Sequence, residues 1–213
     1  MPRTAPTIRP PILAKVLEAA TVDRLDELEL EQCRLEEAAF ASETGERVRF
    51  DGVHVVGGSL AETKLEFVTW VDVLCERCDL SMIDWPKAKL TRVEFRNCRA
   101  TGAKVLEGQF EDVRFVDCHL EYATFPAARF AKVAFVRCRL KDADFSGADL
   151  SNAQFTECDL QTIDFTRAKL QGTDISGSEF REIRVGAGDV RGLVVNREQA
   201  VALSRLFGIV IRD

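Results

Sequence analysis

The sequence predicts an all-β solenoid: a chain wound into four-sided coils of short parallel strands, with a short helix at each end. Three observations predict it. Apolar side chains recur every fifth residue. Of the 34 positions divisible by five from Leu30 to Val195 only Gly45 lacks one, and twelve of the fourteen phenylalanines stand on them. A second register of smaller residues runs two positions earlier, through Val48, Val53, Ala88, Val93, Ala103, Ala143 and Ala148. Five cysteines in that register, Cys78, Cys98, Cys118, Cys138 and Cys158, recur every twenty residues.

Residues two apart on an extended segment point to the same side. Each five-residue segment therefore turns one large and one small side chain inward and three outward. Neither a helix of period 3.6 nor a flat strand of period 2 sustains a period of five, so the chain must turn after every segment. If a coil holds four segments, the five cysteines stack down one face. With parallel strands ~4.8 Å apart, about seven coils between residues 48 and 192 make a rod of roughly 35 Å.

Residues 1–27 read as an N-terminal arm and capping element. Pro10-Pro11 opens a helix over ILAKVLEAA, proline being tolerated in a first turn, with Ile12, Leu13, Val16, Leu17 and Ala20 on one face. Its expected role is to cover the first coil, since a solenoid end exposes core and strand edges. The solenoid itself spans residues 28–195. Within it ASETGER (41–47) keeps phase but puts Glu43 and Gly45 in inward slots, and is read as a bulged loop. Residues 196–213 form the C-terminal element. Asn196 with Gln199 resembles a capping box, a helix follows, and Gly208 stops it. Ala200, Leu203, Leu206 and Phe207 make an apolar face, continued by Ile209, Val210 and Ile211. Capping of the last coil would use the helix. The exposed Ile-Val-Ile tail points beyond capping to a homodimer through this end.

Composition narrows the function. The 213 residues carry a formal charge of −6 with 46% hydrophobic side chains, a globular and acidic chain that lacks the clustered Lys and Arg of a general nucleic-acid binder. No apolar run approaches the ~20 residues of a membrane span, and the first residues lack the apolar core of a signal peptide. A cytoplasmic protein is expected, with its seven cysteines as free thiols. Cys75-Glu-Arg-Cys78 has redox or half-zinc spacing, yet both cysteines occupy inward registers, so core packing explains them. His54 and His119 face outward and apart. Asp144, Asp149, Asp159 and Asp164 could serve as paired carboxylates, but each precedes a repeat centre, where Asp commonly bonds turn backbone. With no phosphate loop and no nucleophile or zinc-peptidase motif, the reading is a non-enzyme with no metal and no cofactor.

Charge varies along the chain. Residues 1–85 sum to −8, residues 86–141 to +6 and residues 183–213 to +2, while 142–182 sum to −6. That last acidic block holds Asp142, Asp144, Asp149, Glu157, Asp159, Asp164, Asp174, Glu179 and Glu182. In a dimer joined at its C-termini, two such blocks flank the two-fold axis as an acidic saddle on a rod of about duplex width, suited to a basic DNA-binding groove. The competing reading is a solvated surface that aids solubility.

The triplets Ala143-Asp144-Phe145, Ala148-Asp149-Leu150 and Cys158-Asp159-Leu160 resemble the A(D/N)LXX consensus of the pentapeptide-repeat family, over about residues 28–195. That resemblance implies a right-handed quadrilateral parallel β-helix. CDLSMIDW (78–85) and CRATGA (98–103), with Gln199-Ala200, Leu203, Leu206 and Gly208-Ile209 at the end, are similar to the Qnr/MfpA-type DNA gyrase-interacting proteins. This further resemblance implies a homodimer that mimics duplex DNA and binds a type II topoisomerase, DNA gyrase or topoisomerase IV. Inhibition is the implied activity. Protection of the enzyme from quinolone-type poisons is implied as well, although the extruded loops that support it in Qnr proteins have no counterpart in this chain, which keeps phase from Phe50 to Val195. The alternative is a scaffold of the same class for an unidentified protein partner.

Overall fold

A computed structural model describes residues 7–212. Strands Cys33–Ala39, His54–Ser59, Thr69–Glu76, Lys89–Arg96, Gln109–Val116, Arg129–Val136, Gln154–Asp159 and Asp174–Glu179 lie side by side in chain order, all parallel. Partners are twenty residues apart, Phe95 on Phe115 and Phe115 on Phe135, so one coil is twenty residues. Pairing at this twenty-residue spacing runs from Glu29 on Arg49 to Asp174 on Val194, about eight coils.

The corners follow from one residue per segment. From residue 27 to residue 172 the residue two after each repeat centre holds positive φ, among them Asp72 at 54°, Arg92 at 52°, Asp112 at 53° and Lys132 at 57°. A left-handed residue costs an L-amino acid about 1–2 kcal/mol. Here it turns the chain while its N–H still reaches the next coil, as Arg77 to the Arg96 carbonyl at 2.9 Å and Asn97 to the Val116 carbonyl at 3.0 Å.

The core is the inward column of large side chains. Phe95, Phe115, Phe135 and Phe155 stack one per coil with ring centroids 4.9, 5.0 and 4.8 Å apart and planes within 9°. Phe110 and Phe130 stack likewise at 4.6 Å. An interior void of about 30 Å³ is lined by apolar side chains including Leu80, Trp85, Ala100 and Leu120. It has room for one water and no polar partner for it. All seven cysteines are free and buried.

Two expectations are corrected. The N-terminal segment has no helix: residues 7–14 run without regular structure, and Glu18–Ala19 pairs in parallel with Cys33–Arg34. A nine-residue helix is marginal in water. The extended alternative wins because the Ala20 N–H reaches the Arg34 carbonyl at 2.8 Å and the Ile12 N–H reaches Asp72 at 2.9 Å. The strand thus covers the edge that a helix would have left open. Nor do residues 41–47 bulge. Thr44–Glu46 is a regular strand on Lys64–Glu66. Gly45 stands in its inward slot because Asp26 crosses there, with its Cα 3.0 Å from where a β-carbon would lie. Glu43 accepts from the Leu25 N–H at 2.9 Å. The polar residues answer an incoming chain.

At the other end the helix is Arg197–Leu206, with both arms of the Asn196–Gln199 capping box formed and Gly208 at φ 74° just past it. No helix among the described residues is long and apolar enough to cross a membrane.

Candidate interaction surface

Outward positions carry whatever chemistry the rod has. Of the nine acidic candidates, Asp142, Asp144, Asp159, Asp164, Glu179 and Glu182 fall on two adjoining sides of the last coils. Asp144 lies directly beside Asp164, and Asp159 beside Glu179, in successive coils. Asp142 accepts from the Thr162 hydroxyl, and the Thr162 N–H bonds the Glu182 carbonyl, placing those three in one column. The other three are elsewhere. Asp149 lies on a third side, flanked by Arg129 and Lys169 in the neighbouring coils, Asp174 on the fourth side beside Gln154, and Glu157 at a corner.

The four repeat aspartates all make turns. Asp144, Asp149, Asp159 and Asp164 accept from the N–H two residues on, at 2.7, 3.2, 3.1 and 2.8 Å. A carboxylate oxygen is thereby spent on the backbone while the charge still faces out. Burial pushes the Asp149 carboxyl up, but the Ser151 hydroxyl and N–H and the Lys169 ammonium outweigh it and hold the group below the usual carboxylate range. Basic residues break the surface: Arg184 stands 3.8 Å from Asp164 and Lys169 3.5 Å from Asp149.

The C-terminal apolar set divides in two. Leu203 is buried in the core and Phe207 packs against it. Gln199, one turn before Leu203, donates to the Ile175 and Ser178 carbonyls at 2.9 and 2.8 Å. That face caps the last coil. Ala200 is exposed. Leu206, Ile209, Val210 and Ile211 are 50, 57, 83 and 47% exposed, apolar side chains within six residues of one another that the monomer leaves in water.

The thiol column does more than save space. Cys98, Cys118, Cys138 and Cys158 each direct Sγ at the carbonyl oxygen twenty-three residues back, at 3.4, 3.5, 3.4 and 3.4 Å. Ser178, next in the column, donates to the Phe155 carbonyl at 2.9 Å. The slot selects a small side chain that can donate. The run Cys-to-Ser at residue 178 carried that signal, which a size-only reading misses. Cys98 also joins Cys75 and Cys78, the three Sγ atoms within 4.8 Å of one another. Hydrogen bonds with Cys78 and Cys98, with burial, hold the Cys75 thiol well above the ordinary range. His54 bonds Glu76 at 2.8 Å, and His119 lies on another side of the coil.

One charged column escaped sequence reasoning. Asp72, Arg92, Asp112 and Lys132 stand at the same corner of successive coils, and the N-terminal segment lies on them through Arg9 and Ile12. Alternating signs at a spacing of twenty were the available clue.

A family model described as Pentapeptide repeat region matches residues 68–145, 88–160 and 123–193. Among solved structures, the chain is similar to full-length QnrB1, a plasmid-mediated fluoroquinolone resistance protein. Identity is 22%, covering 85% of this chain and 100% of that one, at a TM-score of 0.34. A trypsin-treated form of QnrB1 matches at 21% identity over 92% and 95%, at a TM-score of 0.39. HetL of Nostoc sp. strain PCC 7120, a pentapeptide repeat protein involved in heterocyst differentiation regulation, matches at 15% over 81% and 90%, at 0.27. No curated protein matches the chain.

Proposed function

The chain belongs to the pentapeptide-repeat family, and we propose that it acts by binding: a homodimeric, duplex-like rod that docks in the DNA groove of a type II topoisomerase and inhibits it. The observation that carries this reading is the convergence of Asp142, Asp144, Asp159, Asp164, Glu179 and Glu182 on two adjoining sides of the coils next to the exposed C-terminal apolar side chains. Asp144 with Asp164, and Asp159 with Glu179, set carboxylates ~4.8 Å apart along the axis in neighbouring coils, short two-rung ladders of negative charge bounded by Arg139 and Arg184. Joining two chains at Leu206, Ile209, Val210 and Ile211 would place two such sets about one two-fold axis. A basic groove shaped for duplex DNA is the complementary surface. Resemblance of residues 78–85, 98–103 and 199–209 to Qnr/MfpA-type proteins agrees with the same partner. Inhibition needs no pocket or reactive group.

Supercoiling by DNA gyrase tests it. A variant with Asp159→Asn, Asp164→Asn, Glu179→Gln and Glu182→Gln keeps the side-chain acceptors that close the turns while losing four charges. It should lose inhibition without a change in melting. Supercoiling that is indifferent to micromolar wild-type protein would end the proposal.

A second reading rests on the middle coils, where ion pairs such as Arg137–Asp117 and Arg96–Glu94 mix signs. Those coils suit a scaffold for another protein, and a pull-down dominated by a partner other than a topoisomerase would favour it.

A further inference from the structure

The column Asp72, Arg92, Asp112, Lys132 alternates in charge along the rod axis, each residue turning its coil with positive φ. Turning a corner does not require this. The same column continues as Asn152 and Gly172, which turn equally well. Arg92 donates to Asp72 from Nε and Nη2 at 2.6 and 2.5 Å, and Lys132 Nζ lies 3.9 Å from Asp112. Both carboxylates are withdrawn from water, with side chains 11% exposed for Asp72 and 0% for Asp112. A buried carboxylate is costly unless it is paired and hydrogen-bonded.

Their remaining partners come from residues 9–12. Arg9 donates to Asp112 from its backbone N–H at 3.2 Å and from Nε at 2.7 Å, and Nη2 also reaches it. The Ile12 N–H donates to Asp72 at 2.9 Å. The occupant itself is mostly in water: the Arg9 side chain is 53% exposed and Ile12 67%. The spacing has a physical origin. Asp72 and Asp112 are two coils apart, about 9.6 Å. A polyproline II chain makes one turn in three residues and rises about 9.3 Å in doing so. Residues i and i+3 of such a chain therefore present their N–H groups to the two carboxylates from the same side. Pro10 and Pro11 between them bring no N–H that would lie against the rod without a partner, and their fixed φ favours that form.

We propose that this column is a binding site for an extended, proline-rich, arginine-bearing polypeptide segment. Residues 9–12 are its intramolecular occupant, which the segment of a partner protein replaces. The recognised features are an arginine at i and a backbone N–H at i+3, read by Asp112 and Asp72. The site is independent of the topoisomerase reading, since it lies in the middle coils, away from the acidic C-terminal ones.

The test uses the full chain with Arg9→Ala, which loosens the occupant, and a labelled peptide with the sequence of residues 7–17. Fluorescence anisotropy should show saturable binding, weakened tenfold or more when the peptide's arginine is replaced by alanine. Wild-type protein should bind the peptide at least tenfold more weakly than the Arg9→Ala chain, because its tethered segment competes at high effective concentration. Adding Asp112→Asn should abolish binding while the chain stays folded, since asparagine suits this corner as Asn152 does, with only the small drop in melting expected from neutralising a carboxylate beside Lys132. Should that variant melt early, a peptide N-methylated at the position of Ile12, which lacks the i+3 N–H that Asp72 accepts, is read in its place and should bind at least tenfold more weakly. Absence of binding by the Arg9→Ala chain, equal binding of the arginine and alanine peptides, equal binding by wild type, or binding that survives the aspartate substitution or the N-methylation would each overturn the proposal.

Discussion

Replacing Phe135 by alanine tests the inward column at its most packed point. The ring is fully buried. It stacks on Phe115 at 5.0 Å and Phe155 at 4.8 Å and meets Phe145 edge-on at 5.8 Å. Phe→Ala in a core costs about 3–5 kcal/mol through lost transfer energy and the residual cavity. Loss of stacked partners, at about 0.5–1.5 kcal/mol per pair, puts this site at the upper end. Rigid coils above and below cannot collapse into the gap. For a domain of this length, 1 kcal/mol moves the midpoint by about 2–4 °C, so Tm should fall by roughly 10–20 °C. Solenoids unfold by coils and can depart from two-state behaviour, so far-UV circular dichroism should be followed beside a control, Phe67→Ala. Phe67 is out of phase with the repeat and 55% exposed, and its loss should change stability by less than about 0.5 kcal/mol. If Phe135→Ala melts with the wild type, or Phe67→Ala falls equally far, the five-residue logic of the core is wrong.

Other outcomes follow from the same geometry. Cys138→Ser should stay within about 1 kcal/mol of wild type, because the column already uses Ser178 as a donor, whereas Cys138→Leu overpacks the slot at about 1–3 kcal/mol; urea melts separate the two. A thiol reagent should find all seven cysteines only after denaturation. Leu206→Glu with Ile209→Glu should halve the mass seen by light scattering and leave the melting curve in place, since both side chains are exposed in the monomer; an unchanged mass would reassign this end to capping alone. Burial raises the Asp112 carboxyl, but hydrogen bonds from Arg9 and the nearby Lys132 charge outweigh it and hold the group below its ordinary value. Asp72 is lowered in the same way through Arg92 and Ile12. A depressed carboxylate contributes stability above its unfolded pKa, ~3.9, and loses it as pH falls through the folded value. Hydrogen-exchange protection in residues 9–17, taken relative to the intrinsic rate at each pH, should therefore fall as pH drops below about 4, and Asp112→Asn should flatten that response.

Much of the molecule was legible as a string of letters. The inward registers, the twenty-residue coil, the burial of Phe135 against the exposure of Phe67, and the Asn196–Gln199 cap are all local. Each depends on side-chain alternation within five residues or on a cap within four, and the repeat copies the same answer into every coil. Reduced to position within the coil, even the two adjoining acidic sides follow from counting. Non-repeating segments are different. Whether residues 12–20 coil into a helix or lie extended depends on what waits for their N–H groups, and the answers are Asp72 and Arg34, neither close in sequence. Gly45 and Glu43 make sense only with residues 25 and 26 crossing them, and Leu203 parts from Leu206 only when the last coil presents its open end. Those choices belong to the tertiary structure because they compare the energies of surfaces far apart along the chain, and no periodic neighbour carries a copy of the result.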